Sequence, residues 1–186
     1  MAATLMSRTA KLSRVGYAVL AVLLLVAPLL GLYPVFLMQL LCFALFACAF
    51  NLLLGFTGLL SFGHAAFFGG AAYICGWFVQ ARHWPPEWGI LAGVVVAALL
   101  GLFMGALAIR RQGIYFAMIT LALAQMVFFV CLQAPFTGGE DGLQGVPRGT
   151  LFGLLSLRSD TVMYYFVAVV FVLSFMLISR IVHSPY

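Results

Sequence analysis

The chain has 186 residues, of which 66% are hydrophobic and 7% charged, and a formal net charge of +5. About a quarter of the residues in soluble globular domains are charged, so this composition excludes that class and indicates an integral membrane protein. The apolar stretches are long and continuous, which excludes a barrel of strands of about 10 residues with alternating polarity. The basic residues are scattered between those stretches, so they form no patch for nucleic acid.

Arg8, Lys11 and Arg14 lie in an N-terminal segment, 1–14, which precedes an uncharged run at 15–33. A signal-peptide core is about 7 to 15 residues long and is followed by a small-residue cleavage site; this run is longer and has no such site. It therefore reads as a first membrane helix. Pro34 opens a second run at 35–54, whose clear polar side chains are Gln39 and Asn51. A short connection containing Gly55 and Gly58 follows, and a third run covers 58–80.

The stretch at 51–73, NLLLGFTGLLSFGHAAFFGGAAY, contains five glycines and the polar residues Asn51, Thr57, Ser61 and His64. It predicts a broken or Gly-rich helical region. Hydrocarbon offers no hydrogen bonds, so irregular backbone persists there only where protein covers it or where it lines a cavity. Broken helices of this kind point to a transport path. Close helix packing is the alternative, because small residues recur four apart at Ala65 and Gly69, Ala66 and Gly70, and Ala72 and Gly76. Both readings apply to Asn51, Gly55, Thr57, Gly58, Ser61, Gly63, His64 and Gly69.

After Arg82, His83, Pro85, Pro86 and Glu87, a fourth run spans 89–109, with Gly89, Gly93, Ala97, Gly101 and Gly105 in one continuous small-residue stripe expected to pack against protein. Arg110, Arg111 and Gly113 separate it from a fifth run at 114–133 with Thr120, Gln125 and Gln133. The Gln125 amide reads as a hydrogen bond to a neighbouring helix ahead of a substrate contact. A glycine-rich loop of 27 residues, Ala134 to Asp160, leads to a sixth run at 161–181.

Runs of about 20 residues match a hydrocarbon core of about 30 Å. The fold expected is an all-α membrane protein with about six transmembrane helices. A cytoplasmic N-terminus puts Arg8, Lys11, Arg14, Arg110, Arg111 and Arg180 inside and Arg82, Arg148 and Arg158 outside, six against three, which favours that orientation. Cys42, Cys48, Cys75 and Cys131 lie inside apolar runs without a CxxC pair and read as small buried residues. His64, His83 and His183 have no ligand-spaced neighbour, so no metal or other cofactor is expected.

Glu87, Glu140, Asp141 and Asp160, the four acids, all fall in loops, which argues against a self-coupled carrier. A stand-alone channel or secondary carrier therefore ranks second. A membrane-embedded enzyme would need clustered catalytic groups, and His64 has none beside it in sequence. Lys11 is the single lysine and lies in no GxxxxGK[ST] loop, so any ATPase is a separate chain.

Three blocks, AFNLLLGFTGLLSFGHAAFFGGAAY at 49–73, RRQGIYFAMITLALAQMVFF at 110–129 and TGGEDGLQGVPR at 137–148, occur in this order. Together they resemble the M-type permease subunit of bacterial branched-chain amino acid ABC importers, over nearly all of 20–186. The resemblance implies a transport subunit of the bacterial inner membrane without catalytic activity of its own, its permease domain covering 15–186. It implies four kinds of partner: an H-type permease forming a heterodimer, two cytoplasmic ATPase subunits, a periplasmic substrate-binding protein and the lipid bilayer. Leucine, isoleucine and valine are the substrates implied, with other amino acids, urea or short amides in related systems.

The family's Gly-rich motif falls on Gly55, Thr57, Gly58, Ser61, Phe62, Gly63, His64, Ala65 and Gly69. Its loop motif falls on Thr137, Gly138, Gly139, Asp141, Gly142, Leu143, Pro147 and Arg148. For the loop, a turn cluster using glycine's access to positive φ and a docking surface for the binding protein both remain open. Family members continue beyond the position of HSPY with a basic cytoplasmic segment and further helices, so a C-terminally truncated chain or a fragment is expected.

Overall fold

The computed structural model describes residues 22–111, 113–151, 153 and 155–182. The N-terminal segment 1–14, the start of the run expected at 15–33, position 112 and the terminal 183–186 lie outside the described residues. Two compact units result, one formed by residues up to 45 together with those from 160, the other by 46–159.

In the first unit, residues 22–26 are helical (α1), and a tight 3-10 turn, Ala27–Leu30, follows. Gly31 ends it at φ 77°, a left-handed conformation that glycine adopts without penalty. Pro34 starts α2, Pro34–Thr57, and α6 covers Asp160–Val182. Leu37 and Leu41 of α2, one turn apart, meet Tyr164, Ala168 and Phe171 of α6, spaced four and three apart, with Ala27 completing the core. Pro28 has no N–H, so the carbonyl four residues back, Leu24, loses its helical donor. The Tyr164 hydroxyl, on a side chain with no exposed surface, donates to that carbonyl at 2.7 Å.

The second unit holds the end of α2 from Phe46 onward, then α3 (His64–Ala81), α4 (Pro86–Ala108) and α5 (Ile114–Gln133). α3 and α4 are an antiparallel pair joined through Arg82 to Pro85. Gly93 faces α3 so closely that a Cβ would stand 2.9 Å from the Ala71 carbonyl oxygen, and one on Gly89 would stand 3.1 Å from that of Cys75. The first half of the small-residue stripe expected along α4 therefore packs on α3. At Gly101 and Gly105 a Cβ would meet nothing within 4 Å; in that half of α4 Met104 and Ala108 are the buried residues, and Met104 covers Gly63 just before α3.

The loop after α5 carries two 3-10 turns, Pro135–Thr137 and Gly139–Asp141, and a minimal antiparallel hairpin of β1 (Thr150–Leu151) and β2 (Leu155–Ser156). This hairpin departs from a purely helical chain, and it lies outside the apolar runs.

Four helices, Pro34–Thr57, Pro86–Ala108, Ile114–Gln133 and Asp160–Val182, are long and apolar enough to cross a membrane. Their outward surfaces carry large apolar side chains such as Leu102, Ile114 and Leu173, as expected of helices that are hydrophobic all round. The chain is an all-α, multi-pass membrane protein. α3, of 18 residues with polar His64 and Gln80 near its ends, is not among the four, so the described residues do not by themselves give the six crossings expected.

Tyr164→Phe keeps the packing of the first unit and strands the Leu24 carbonyl. We expect a loss of about 1–3 kcal/mol, read as a lower melting temperature of the detergent-purified protein; an unchanged melting temperature would show that another donor reaches that carbonyl. Gly93→Leu is expected to lower the melting temperature far more than Gly101→Leu, because the first must push two helix backbones apart and the second enters open space. Equal effects would contradict the α3–α4 contact.

Candidate functional site

The break between α2 and α3 is built by a threonine and a glycine. Thr57 Oγ1 donates back to the Leu53 carbonyl at 2.7 Å and accepts from the Leu59 N–H at 3.3 Å. Gly58, at φ 64°, donates its N–H to the Leu54 carbonyl at 3.0 Å, so the last turn of α2 closes in a left-handed cap. α2 therefore runs on to Thr57, past Gly55, and α3 starts at His64, so the connection spans 58–63 in place of the one expected around Gly55 and Gly58. The Gly-rich region is two regular helices and a turn between them.

That turn is held from both sides. Ser61, buried, accepts the Gly63 N–H on its Oγ at 3.3 Å. The Phe62 N–H donates to Thr120 Oγ1 of α5 at 3.2 Å, and the Thr120 hydroxyl donates onward to the Ala117 carbonyl at 3.0 Å. Thr120 is buried and performs a role that residue order does not assign; its one signal is an aliphatic hydroxyl within an apolar run. Gly63 is packed under Met104, whose Cε would lie 2.9 Å from a Cβ there. His64 Nδ1 stands 3.3 Å from the Ser61 carbonyl oxygen, and the ring meets Phe46, Phe50 and Phe67 edge-on at centroid distances of 6.3, 5.5 and 5.9 Å.

The residues singled out in the first block thus separate into different environments. Asn51, Gly55, Thr57 and Gly58 are exposed in the chain, Ser61 and Gly63 are buried, His64 is half-buried, and Gly69 faces open space.

The loop motif is a folded turn at the other end of α3. Pro135 has no N–H for the Cys131 carbonyl, and the fully buried Thr137 hydroxyl bonds to it and lies 2.7 Å from the Ala134 carbonyl oxygen. Gly138, at φ 81°, is covered by the Gly142 carbonyl so tightly that a Cβ would collide with it, and the Gly142 N–H closes onto the Gly139 carbonyl at 3.3 Å. Leu143 and Val146 pack on Gly76 of α3, where a Cβ would stand 3.0 and 3.6 Å from them. Gln80 Nε2 donates to the Gln144 carbonyl at 3.0 Å, and Gln144 Nε2 donates to the Asp141 carbonyl at 3.2 Å. The Asp141 and Arg148 side chains are exposed.

Between the two motifs runs a groove of about 300 Å³ along α3 and α5. Phe62 lies at one end, Tyr73 at the other, and Gly69 and Gln125 face it between them. The structure thereby joins Gly69 from the first block with Gln125, for which residue order suggests a hydrogen bond to a neighbouring helix.

The family profile described as "Branched-chain amino acid transport system / permease component" matches residues 32–181. The chain belongs to this family. It is similar to the high-affinity branched-chain amino acid transport system permease protein LivM of Salmonella typhimurium, with 34% identity over 117 residues, 59% of this chain and 26% of that protein. The LivM of Escherichia coli is 32% identical over 112 residues, 56% of this chain and 25% of that protein. The chain thus spans about a quarter of the length of the curated relatives it matches. No solved structure matches it. The family is one of transport permease components, not of enzymes.

Gly138→Ala places a side chain at positive φ, which costs about 1–2 kcal/mol, and also drives its Cβ into the Gly142 carbonyl. Gly145, at φ 67° with nothing within 4 Å, bears the first cost alone. We expect Gly138→Ala to speed limited proteolysis within 137–148 several-fold more than Gly145→Ala; equal cleavage rates would show that the turn does not depend on that contact.

Proposed function

We propose that the chain forms part of the membrane pathway of an ABC importer for branched-chain amino acids. The observation that carries this reading is the family match over residues 32–181, joined to two relatives whose names give that transport system. The partners proposed are an H-type permease, two cytoplasmic ATPases and a periplasmic substrate-binding protein. The location proposed is the bacterial inner membrane, with the N-terminus cytoplasmic.

The distribution of acids supports an external energy source. Glu87 lies in the first turn of α4, Asp160 in that of α6, and Glu140 and Asp141 in the loop after α5. None is placed at mid-membrane depth, where proton- and ion-coupled carriers hold an ionisable group. The orientation proposed puts the 137–148 turn outside, where a binding protein delivers substrate, and the 58–63 turn and Arg110 and Arg111 inside, where ATPases attach.

Two measurements test the reading. Membrane vesicles containing this chain and the four neighbouring subunits are expected to take up labelled leucine only with ATP and binding protein; uptake that persists without either rejects the ABC assignment. For orientation, a single cysteine at 140 should react with an impermeant thiol reagent in intact spheroplasts, and one at 111 only after permeabilisation. The opposite pattern inverts the topology.

A further inference from the structure

The geometry points to the α3–α5 groove as this chain's share of the substrate path, with Gln125 and Tyr73 as the groups that touch the substrate's polar atoms; this rests on the transport reading above. Gln125 lies near the middle of α5, in a span with no charged residue. Among the described residues neither its amide nor the Tyr73 hydroxyl has a hydrogen-bond partner, and both line the same groove. An amide and a phenol facing lipid tails would each forgo a hydrogen bond that hydrocarbon cannot replace. Their surroundings in the assembled protein must therefore supply water or another polar group.

The shape of α3 favours a solute there. Its small residues Ala65, Ala66, Gly69 and Gly70 all border the groove. Ala66 and Gly70 are buried, and Gly70 also lies under Leu100 of α4, 2.9 Å from where its Cβ would be. At Gly69 nothing lies within 4 Å, so this side of α3 is open. From Ala65 to Tyr73 α3 rises about 12 Å, so the groove extends along about two turns of that helix. At its upper end Tyr73 Oη stands 3.8 Å from the Cβ position of Gly142, in the 137–142 turn, and at its lower end Phe62 begins the buried turn tied to Thr120. The groove thus connects the two sequence blocks.

Its chemistry matches an amphipathic zwitterion with an aliphatic side chain. Phe62 and Leu121 offer apolar wall, Gln125 offers a donor and an acceptor, and Tyr73 offers a hydroxyl. No charged group lines it, so a zwitterion meets polar contact without an ion pair that would hold it. A volume of about 300 Å³ lies at the lower bound of small-molecule sites.

The test uses the assembled transporter with this chain in its full length, L-[14C]leucine as probe, and the variants Gln125→Leu, Gln125→Asn and Tyr73→Phe. The H-type permease should co-purify with every variant at the wild-type ratio. Uptake by Gln125→Leu should fall about tenfold, the worth of one lost hydrogen bond to a polar group, with Gln125→Asn recovering some of that loss and Tyr73→Phe losing several-fold. In a cysteine-free background, a cysteine at 69 should react with a methanethiosulfonate reagent, and leucine delivered by the binding protein should slow that reaction. If Gln125→Leu loses the partner permease, the groove seats the partner's helix and the inference is overturned. If the partner is retained and all three variants transport within twofold of wild type, the groove is not the path, while the transport reading stands. If the wild-type complex itself shows no ATP-driven uptake, the transport reading fails and this inference with it.

Discussion

Two prolines remove a donor from a helical carbonyl, and in both cases a side-chain hydroxyl takes the donor's place. Pro28 deprives the Leu24 carbonyl, which receives Tyr164; Pro135 deprives the Cys131 carbonyl, which receives Thr137. A buried carbonyl left without a donor costs about 1–3 kcal/mol, so each hydroxyl has to be buried beside it and aimed. Both are: Tyr164 and Thr137 have no exposed surface. The first replacement ties α6 to the segment before α2 and so organises the first unit. The second closes the end of α5 and turns the chain back onto α3, which sets where the 137–148 turn lies.

The same accounting explains the Gly-rich block. A helix end in a membrane leaves carbonyls and N–H groups that need partners within a few residues. Thr57 and Gly58 satisfy the end of α2, and Ser61 and Thr120 satisfy the start of α3. Ser61, Thr57 and Gly63 therefore have structural occupations, by capping or by close packing under Met104. Gly69 has none of these within the chain, which is why the path reading concentrates on its side of α3.

Much of this is legible from residue order, and the failures are instructive. Apolar runs of membrane length mark α2, α4, α5 and α6, because length and uniform hydropathy are the properties a bilayer selects. α3 reads as a full run in sequence, yet its helix waits for His64, since Thr57 spends its hydroxyl on capping α2 and Gly58 turns left-handed. The stripe at Gly89 to Gly105 predicts helix contact correctly for Gly89 and Gly93. At Gly101 no described group of the chain lies within 4 Å of where a Cβ would be, because periodicity tells which residues share a face but not which neighbour covers it. Thr120 and Gln125 differ for the same reason. Both are single polar residues in one apolar run, and only the fold shows that one binds the backbone of Phe62 while the other faces open groove.

On the transport reading, the division of labour between those two residues bears on how a pathway and a stable fold coexist on one helix pair. Thr120 lies where α5 must hold the 58–63 turn, and its buried hydroxyl is engaged both ways, accepting from Phe62 and donating its one proton to Ala117. A buried group so engaged has no donor left to offer a passing solute. Gln125, five residues on, points to the groove with its full hydrogen-bonding capacity unused among the described residues. A solute that exchanges water for such a neutral amide gains little and loses little, which is the condition for passage without trapping. A carboxylate or ammonium in the same place would bind a zwitterion tightly enough to retain it and would cost far more to hold in the membrane when empty. On the transport reading, the uncharged lining of this groove is thus what lets release keep pace with delivery, and selection among amino acids can rest with the protein that delivers them.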